Sequence, residues 1–405
     1  MKERIRGKNW DRVKYLLNSE LLFVIYLFLF SVLKPIAVAF PAVSTVLLLV
    51  ATVIIVGLSV YVGSLHFRVD HFERFVWLMA YLVTLFGLEY IFRNNEVLPQ
   101  YAYHFCIYGV VPLFIMQYIQ DYTRLLKYWC HFAIAIGLMF LADPLLKYQW
   151  SGGYMPFGFN QMLPAFCGAA LMFFYYRKTW AVPLMMVFLV ELLIYANKGA
   201  TLTAAAFAVV LFVIFGIQTT KNTGAKAIVR RVAWISGIAI VLFVCFDPLL
   251  GFLTGALDYL GISSYALNSI RYGGIERIIG VRTDIWTDVL TEFMKNPLFG
   301  TGIGTYQAHA KMYPHNVFLE VLNASGFVAA GFFAAMLLRS IWGFVTAYKK
   351  KDNESLCMVA LLYFMLSFLP MMISLTMWSY MPFWVYWGIW LYREAPSVKR
   401  IKEKR

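Results

Sequence analysis

Apolar stretches long enough to cross a hydrocarbon layer as helices follow one another along most of the chain, separated by short polar connections. The pattern predicts about twelve spans, near residues 21–40, 42–63, 74–92, 98–120, 126–142, 159–176, 181–196, 200–217, 232–247, 316–338, 356–375 and 379–393. The expected fold is an all-α polytopic membrane protein, with residues 1–405 forming a single transmembrane domain. One polar interruption, residues 247–315, is far longer than the others, and shorter ones fall at 143–158 and 196–199. The first apolar stretch lacks a small-residue cleavage site and reads as a retained helix.

Within the long interruption, residues 276–293 repeat with helical periodicity. Ile278, Ile279, Ile285, Trp286, Val289, Leu290 and Phe293 form an apolar stripe, with Thr283, Asp284, Thr287, Asp288, Thr291 and Glu292 opposite. This is the pattern of a half-buried amphipathic helix rather than a span. Arg282 falls at the centre of the apolar stripe, and an unpaired charge there would cost several kcal/mol to desolvate. An anion is therefore expected beside it; a snorkelling side chain, or a structural acid such as Asp247 or Asp258, is the competing explanation.

Composition agrees with the spans, since 61% of residues are hydrophobic and only 14% charged, more apolar surface than a soluble core can hide. The formal net charge of +14 does not indicate nucleic acid, because it resides mostly in the tails and short loops that the positive-inside rule keeps cytoplasmic. Lys2, Arg4, Arg6, Lys8, Arg12 and Lys14 mark the N-terminus as inside, and Lys399, Arg400, Lys402, Lys404 and Arg405 the C-terminus. Alternating between them, Arg177 and Lys178, then Lys221, Lys226, Arg230 and Arg231, then Lys349, Lys350 and Lys351 fall inside, and 247–315 faces the outside. There Arg271, Arg277, Arg282, Lys295 and Lys311 are balanced by Asp247, Asp258, Glu276, Asp284, Asp288 and Glu292, so individual basic side chains matter more than bulk charge. Cys106, Cys130, Cys167, Cys245 and Cys357 lie in or beside spans, a distribution that indicates neither a disulfide framework nor a thiolate metal site.

Three smaller features carry candidate chemistry. The turn Asn197-Lys198-Gly199 puts a lysine at a helix start, where backbone N–H groups suit a phosphate and Gly199 permits the reversal; a lysine snorkelling to headgroups is the alternative. His315, between Pro314 and Asn316 at the entrance of the tenth span, is a candidate base or an ordinary interfacial residue. The run Phe299-Gly300-Thr301-Gly302-Ile303-Gly304 lacks the strand and Lys-Ser/Thr ending of a phosphate loop and reads as a flexible turn. With no Asp-x-Asp pair outside the spans and no HExxH, a catalytic metal has little support.

Taken in order, NKGATL, then GVRTDIWTDVLTEFMKNPLFGTGIGTY, then PHNVFLEVLNASGF resemble the O-antigen polymerase and O-antigen ligase family, over roughly residues 160–340. The resemblance implies a GT-C-like fold in the bacterial cytoplasmic membrane. It also implies metal-independent, inverting transfer of a saccharide from an undecaprenyl-diphosphate-linked donor to an acceptor hydroxyl on the outer side, without a cofactor. The acceptor would be a growing O-antigen, capsule or exopolysaccharide chain, or a lipid A core; membrane lipids and a chain-length regulator are further implied partners. Arg282 matches the family's arginine ahead of the tryptophan, His315 the histidine of its His-Asn motif, and Lys198 its basic position between the seventh and eighth spans. Arg271 and Arg277 are additional candidates for the diphosphate. Ligases commonly carry arginine where this chain has Lys198, which favours a polymerase. A lipid-linked oligosaccharide flippase is the alternative of another class, but Glu89 and Glu191 are the clear carboxylates inside spans, and the other ionisable candidates cluster outside them.

Overall fold

The computed structural model describes residues 18–64, 67–216, 246–259, 282–350 and 353–393, with positions 229, 230, 233, 267 and 271. Among them there are helices and turns but no strand. Helices occupy each predicted apolar stretch except the ninth, 232–247, which lies almost wholly outside the described residues. In chain order they are α1 (Ser19–Ala39), α2 (Pro41–Gly63), α3 (Val69–Phe92), α4 (Leu98–Phe105), α5 (Val111–Met116), α6 (Tyr122–Phe140), α7 (Tyr154–Phe174), α8 (Ala181–Tyr195) and α9 (Lys198–Phe215). There follow α10 (Phe246–Tyr259), α11 (282–293), α12 (Thr305–Ala310), α13 (Val317–Lys350), α14 (Glu354–Met371) and α15 (Met381–Leu391). Seven of them, α1, α2, α3, α7, α9, α13 and α14, are long and apolar enough to cross a membrane, and α8 is a shorter apolar helix.

Burial separates lipid-facing helices from central ones. On α3, Trp77, Val83, Ile91 and Phe92 are each at least 70% exposed, a cost of roughly 1.5–3 kcal/mol apiece in water that vanishes against lipid. By contrast α14 is buried along most of its length. The chain is a membrane protein built of helices.

Two compact units divide the described residues, the first drawn from within 1–27, 51–126 and 286–405 and the second from within 28–50 and 127–285. In the second unit α7 packs on both α8 and α9. Gly168 brings α7 against the Cys130 carbonyl of α6, where an added Cβ would stand 3.0 Å from that oxygen, the close approach small residues permit in membranes. One end of this unit is closed by Arg177, which donates to the carbonyls of Phe215 and Gly216 (both 3.1 Å) at the end of α9. Its other end carries the 143–158 connection and the α8–α9 turn, joined by the Tyr148 hydroxyl, which donates to the Tyr195 carbonyl at 2.9 Å.

In the first unit α15 packs on α14 and α5, and α13 on α14. One end is tied by Arg74, donating to the carbonyls of Leu391 (2.8 Å) and Arg393 (3.2 Å), and by Glu20, which accepts from the N–H groups of Gln120 (3.1 Å) and Asp121 (3.0 Å). The other end gathers the last turn of α3, the glycine-rich turn and the start of α13. Both candidate stretches, around Lys198 and around His315, thus lie at the helix ends away from the arginines that close each unit.

Candidate functional site

In the second unit, Asn197 caps α9. Its backbone is extended (φ −80°, ψ 153°), and its side-chain oxygen accepts from the Ala200 N–H at 2.8 Å. The reversal is therefore made by the extended backbone of Ala196 and Asn197, while Gly199 is already helical. Asn197 also consumes one first-turn donor that the sequence offers to a phosphate. Two contacts fix this turn: the Asn197 amide donates to the Met155 carbonyl (3.4 Å), and the Thr201 hydroxyl donates to that of Leu192 (2.7 Å). The 143–158 connection is itself held by the fully buried Asp143, which accepts from the N–H groups of Trp150 (2.8 Å) and Ser151 (3.0 Å).

Lys198 is half-buried on this fixed turn, and Arg282, also half-buried, lies within electrostatic reach of it. The structure thus brings together two of the cations singled out in the sequence, although 84 positions separate them. Like charges held close where water is partly excluded repel one another, and an anion between them reverses that cost. Arg271 is exposed and donates to the Thr254 hydroxyl of α10; Arg277 lies outside the described residues.

The α11 helix reproduces the amphipathic pattern over its described length. Ile285, Val289 and Phe293 are buried, Thr283, Asp284, Thr287, Asp288 and Thr291 are exposed, and Arg282 shares the buried face. Residues 276–281, including Ile278 and Ile279, lie outside the described residues. Leu290 departs from the expected stripe, being 43% exposed, because it stands on the stripe's flank next to the threonine face. Glu292 is half-buried and faces His309 at 3.6 Å. Burial, with the nearby Asp288 and Glu292 carboxylates, holds the Tyr306 phenol above its usual range.

In the first unit the glycine-rich turn is hydrogen-bonded rather than loose. Thr301 N–H donates to the Asn323 carbonyl (2.7 Å) and Gly302 N–H to that of Ala324 (3.1 Å), at a break in α13 where Gly326 takes φ 70°, ψ −174°. Glu89, in the last turn of α3, accepts from the Ile303 N–H (3.3 Å), and Asn95 donates to the Ile303 carbonyl (2.8 Å). Glu89 is therefore committed to this turn, a role no local signal in the sequence announces.

His315 stands two residues before α13 with left-handed backbone (φ 55°), a conformation uncommon for residues with a side chain but one that histidine, like asparagine and aspartate, adopts more often than most. Asn316 caps the helix, accepting from the N–H groups of Phe318 (3.0 Å) and Leu319 (3.3 Å). The Tyr313 ring packs on the imidazole with centroids 4.2 Å apart. One turn into α13, Glu320 is a third carboxylate within the spans, one that the apolar pattern passes over.

Among the described residues no group of three or more His, Cys, Asp or Glu is placed to hold a metal ion.

No curated protein and no solved structure matches the chain. A family model described as O-antigen ligase matches residues 184–334, just over a third of the sequence. That stretch runs from α8 to the middle of α13 and includes Lys198, Arg282, the glycine-rich turn, His315 and Gly326. Residues 184–334 of this helical membrane protein thus match an O-antigen ligase domain, consistent with the O-antigen polymerase and ligase family.

Proposed function

We propose that the chain transfers a saccharide from an undecaprenyl-diphosphate-linked donor to an acceptor hydroxyl on the outer side of the bacterial cytoplasmic membrane, and that it polymerises O-antigen, capsule or exopolysaccharide repeat units. The observation that carries the reading is the half-buried pair Lys198 and Arg282, like charges within reach of each other inside the O-antigen ligase domain. A polyprenyl diphosphate is already a good leaving group. What transfer requires is stabilisation of the charge that develops as the anomeric C–O bond to phosphate breaks, and preorganised cations supply it. Arg282 offers a planar fork for two phosphate oxygens, and Lys198 a compact charge. Arg271 and Arg277 are secondary candidates for the same anion.

His315 is assigned as the base. As the acceptor oxygen forms its bond to the anomeric carbon, the imidazole takes the hydroxyl proton, and the lipid diphosphate departs with the electron pair. Attack opposite the leaving group inverts the anomeric centre, and no step in this scheme needs a metal. The outward orientation of 247–315, with both termini cytoplasmic, rests on the distribution of Lys and Arg. Transport is less well supported, because Glu89 is engaged by the glycine-rich turn, Glu320 by Thr376 and Met377, and Glu191 lies near the end of α8.

Lysine at 198 favours polymerase over ligase. The test is purified protein incubated with lipid-linked repeat units alone. A ladder of longer lipid-linked glycans is expected; transfer only after a lipid A core acceptor is added would make the protein a ligase, and no transfer under either condition would remove the enzyme reading.

A further inference from the structure

A buried polar network in the first unit leads to His315. Glu320, 6% exposed, is cradled by the segment between α14 and α15: the Thr376 hydroxyl donates to one carboxylate oxygen and the Met377 N–H to the other (3.4 Å). Thr376 and Met377 are themselves buried. Two residues before Thr376, the Ser374 carbonyl accepts from the Tyr313 hydroxyl, and the Tyr313 ring lies against the His315 imidazole. Tyr101 of α4, 4% exposed, is within electrostatic reach of both Glu320 and Tyr313, and its hydroxyl donates to Gln307 of α12. A carboxylate buried in a membrane helix is costly unless its acceptors are filled, and this one is filled by the segment that also seats Tyr313.

We propose that Tyr313, anchored through Ser374 to the segment that cradles Glu320, is a positioning residue that sets the imidazole of His315 for proton transfer. The inference deepens the assignment of His315 as the base and rests on it. His315 takes a left-handed backbone conformation two residues before α13, which sets the direction in which its side chain leaves the chain. With the Tyr313 ring 4.2 Å from the imidazole, centroid to centroid, and tilted 45° to it, the rotation of the imidazole is limited by where Tyr313 is held. Tyr313→Phe keeps the ring and removes only the hydrogen bond to Ser374. Glu320→Gln keeps the size of the side chain and removes its capacity to accept at both ends.

The experiment is a double-mutant cycle on the full-length protein in lipid nanodiscs, following extension of lipid-linked repeat units by wild type, Tyr313→Phe, His315→Ala and the double variant. Tyr313→Phe is expected to lower kcat about tenfold with the donor KM little changed, and to cause no further loss on the His315→Ala background. The same non-additivity is expected for Glu320→Gln, which serves as the second probe if Tyr313→Phe fails to fold. Multiplication of the losses in the double variant, or wild-type kcat in Tyr313→Phe, overturns the positioning role while leaving His315 as base. Wild-type turnover by His315→Ala instead removes the base assignment, and the positioning role falls with it.

Discussion

Gly326→Ala tests whether the glycine-rich turn is an architectural joint. The backbone there (φ 70°, ψ −174°) lies in a region that is essentially restricted to glycine, so any side chain costs about 1–3 kcal/mol. An added Cβ would stand 2.3 Å from the Leu298 carbonyl oxygen and 2.5 Å from the Gly300 nitrogen. Both are backbone atoms and cannot swing aside. Retreat would strain the bonds from Phe327 N–H to the Pro297 carbonyl (2.9 Å) and from Thr301 N–H to the Asn323 carbonyl (2.7 Å), each worth about 1 kcal/mol net. The sum, about 3–5 kcal/mol, is a large part of the 5–15 kcal/mol that typically holds a fold together. Thermal unfolding in detergent should show the midpoint falling by several degrees. Gly331→Ala, five residues along the same helix where a Cβ meets nothing within 4 Å, is the control and should melt like wild type. If Gly326→Ala also melts like wild type, the joint as described is wrong.

Lys198→Ala should weaken binding of a polyprenyl-diphosphate donor by about 10–100-fold, the worth of a hydrogen bond to a charged group, while Lys198→Arg should bind well; equal donor affinity in all three proteins would remove Lys198 from the site. Transfer should survive exhaustive chelation, and loss with EDTA followed by rescue with one divalent ion would show that a metal takes part. His315→Ala should reduce turnover by about 10²–10⁴-fold with donor binding largely spared. A base must be deprotonated to act, so wild-type activity should climb with pH through the titration of the imidazole, and this rising limb should be missing from the variant. A His315→Ala protein that keeps the limb but binds donor poorly would make His315 a diphosphate ligand instead.

Much of the architecture was legible because the membrane imposes a simple rule: apolar runs become helices, and the described helices follow those runs closely. Arg282 could be singled out because an amphipathic helix makes a misplaced charge visible, and the buried Ile285, Val289 and Phe293 show that the period was read correctly. Leu290 shows its limit, since a residue on the flank of a stripe can turn either way. What the sequence could not convey is pairing between distant segments. Glu89 meets Ile303 across 214 positions and Glu320 meets Met377 across 57, and nothing local to any of these residues anticipates the contact. The glycine-rich run reads as flexible because glycine is permissive; its order comes from Asn323 and Ala324, which lie beyond the run itself. Asn197 is different, because an asparagine directly before an apolar helix is a recognisable cap, and that signal foretells that the Ala200 N–H is already taken.

The central claim is that a cationic pair, not a metal, holds the diphosphate as it leaves, and Arg282 tests it most directly. Purified wild type, Arg282→Lys and Arg282→Ala, matched for expression and melting temperature, should be given lipid-linked repeat units and their initial rates of glycan extension compared. Arg282→Lys should lose much of the rate because the planar fork is gone although the charge remains, and Arg282→Ala should show no measurable extension. Extension by Arg282→Ala at the wild-type rate would contradict the account.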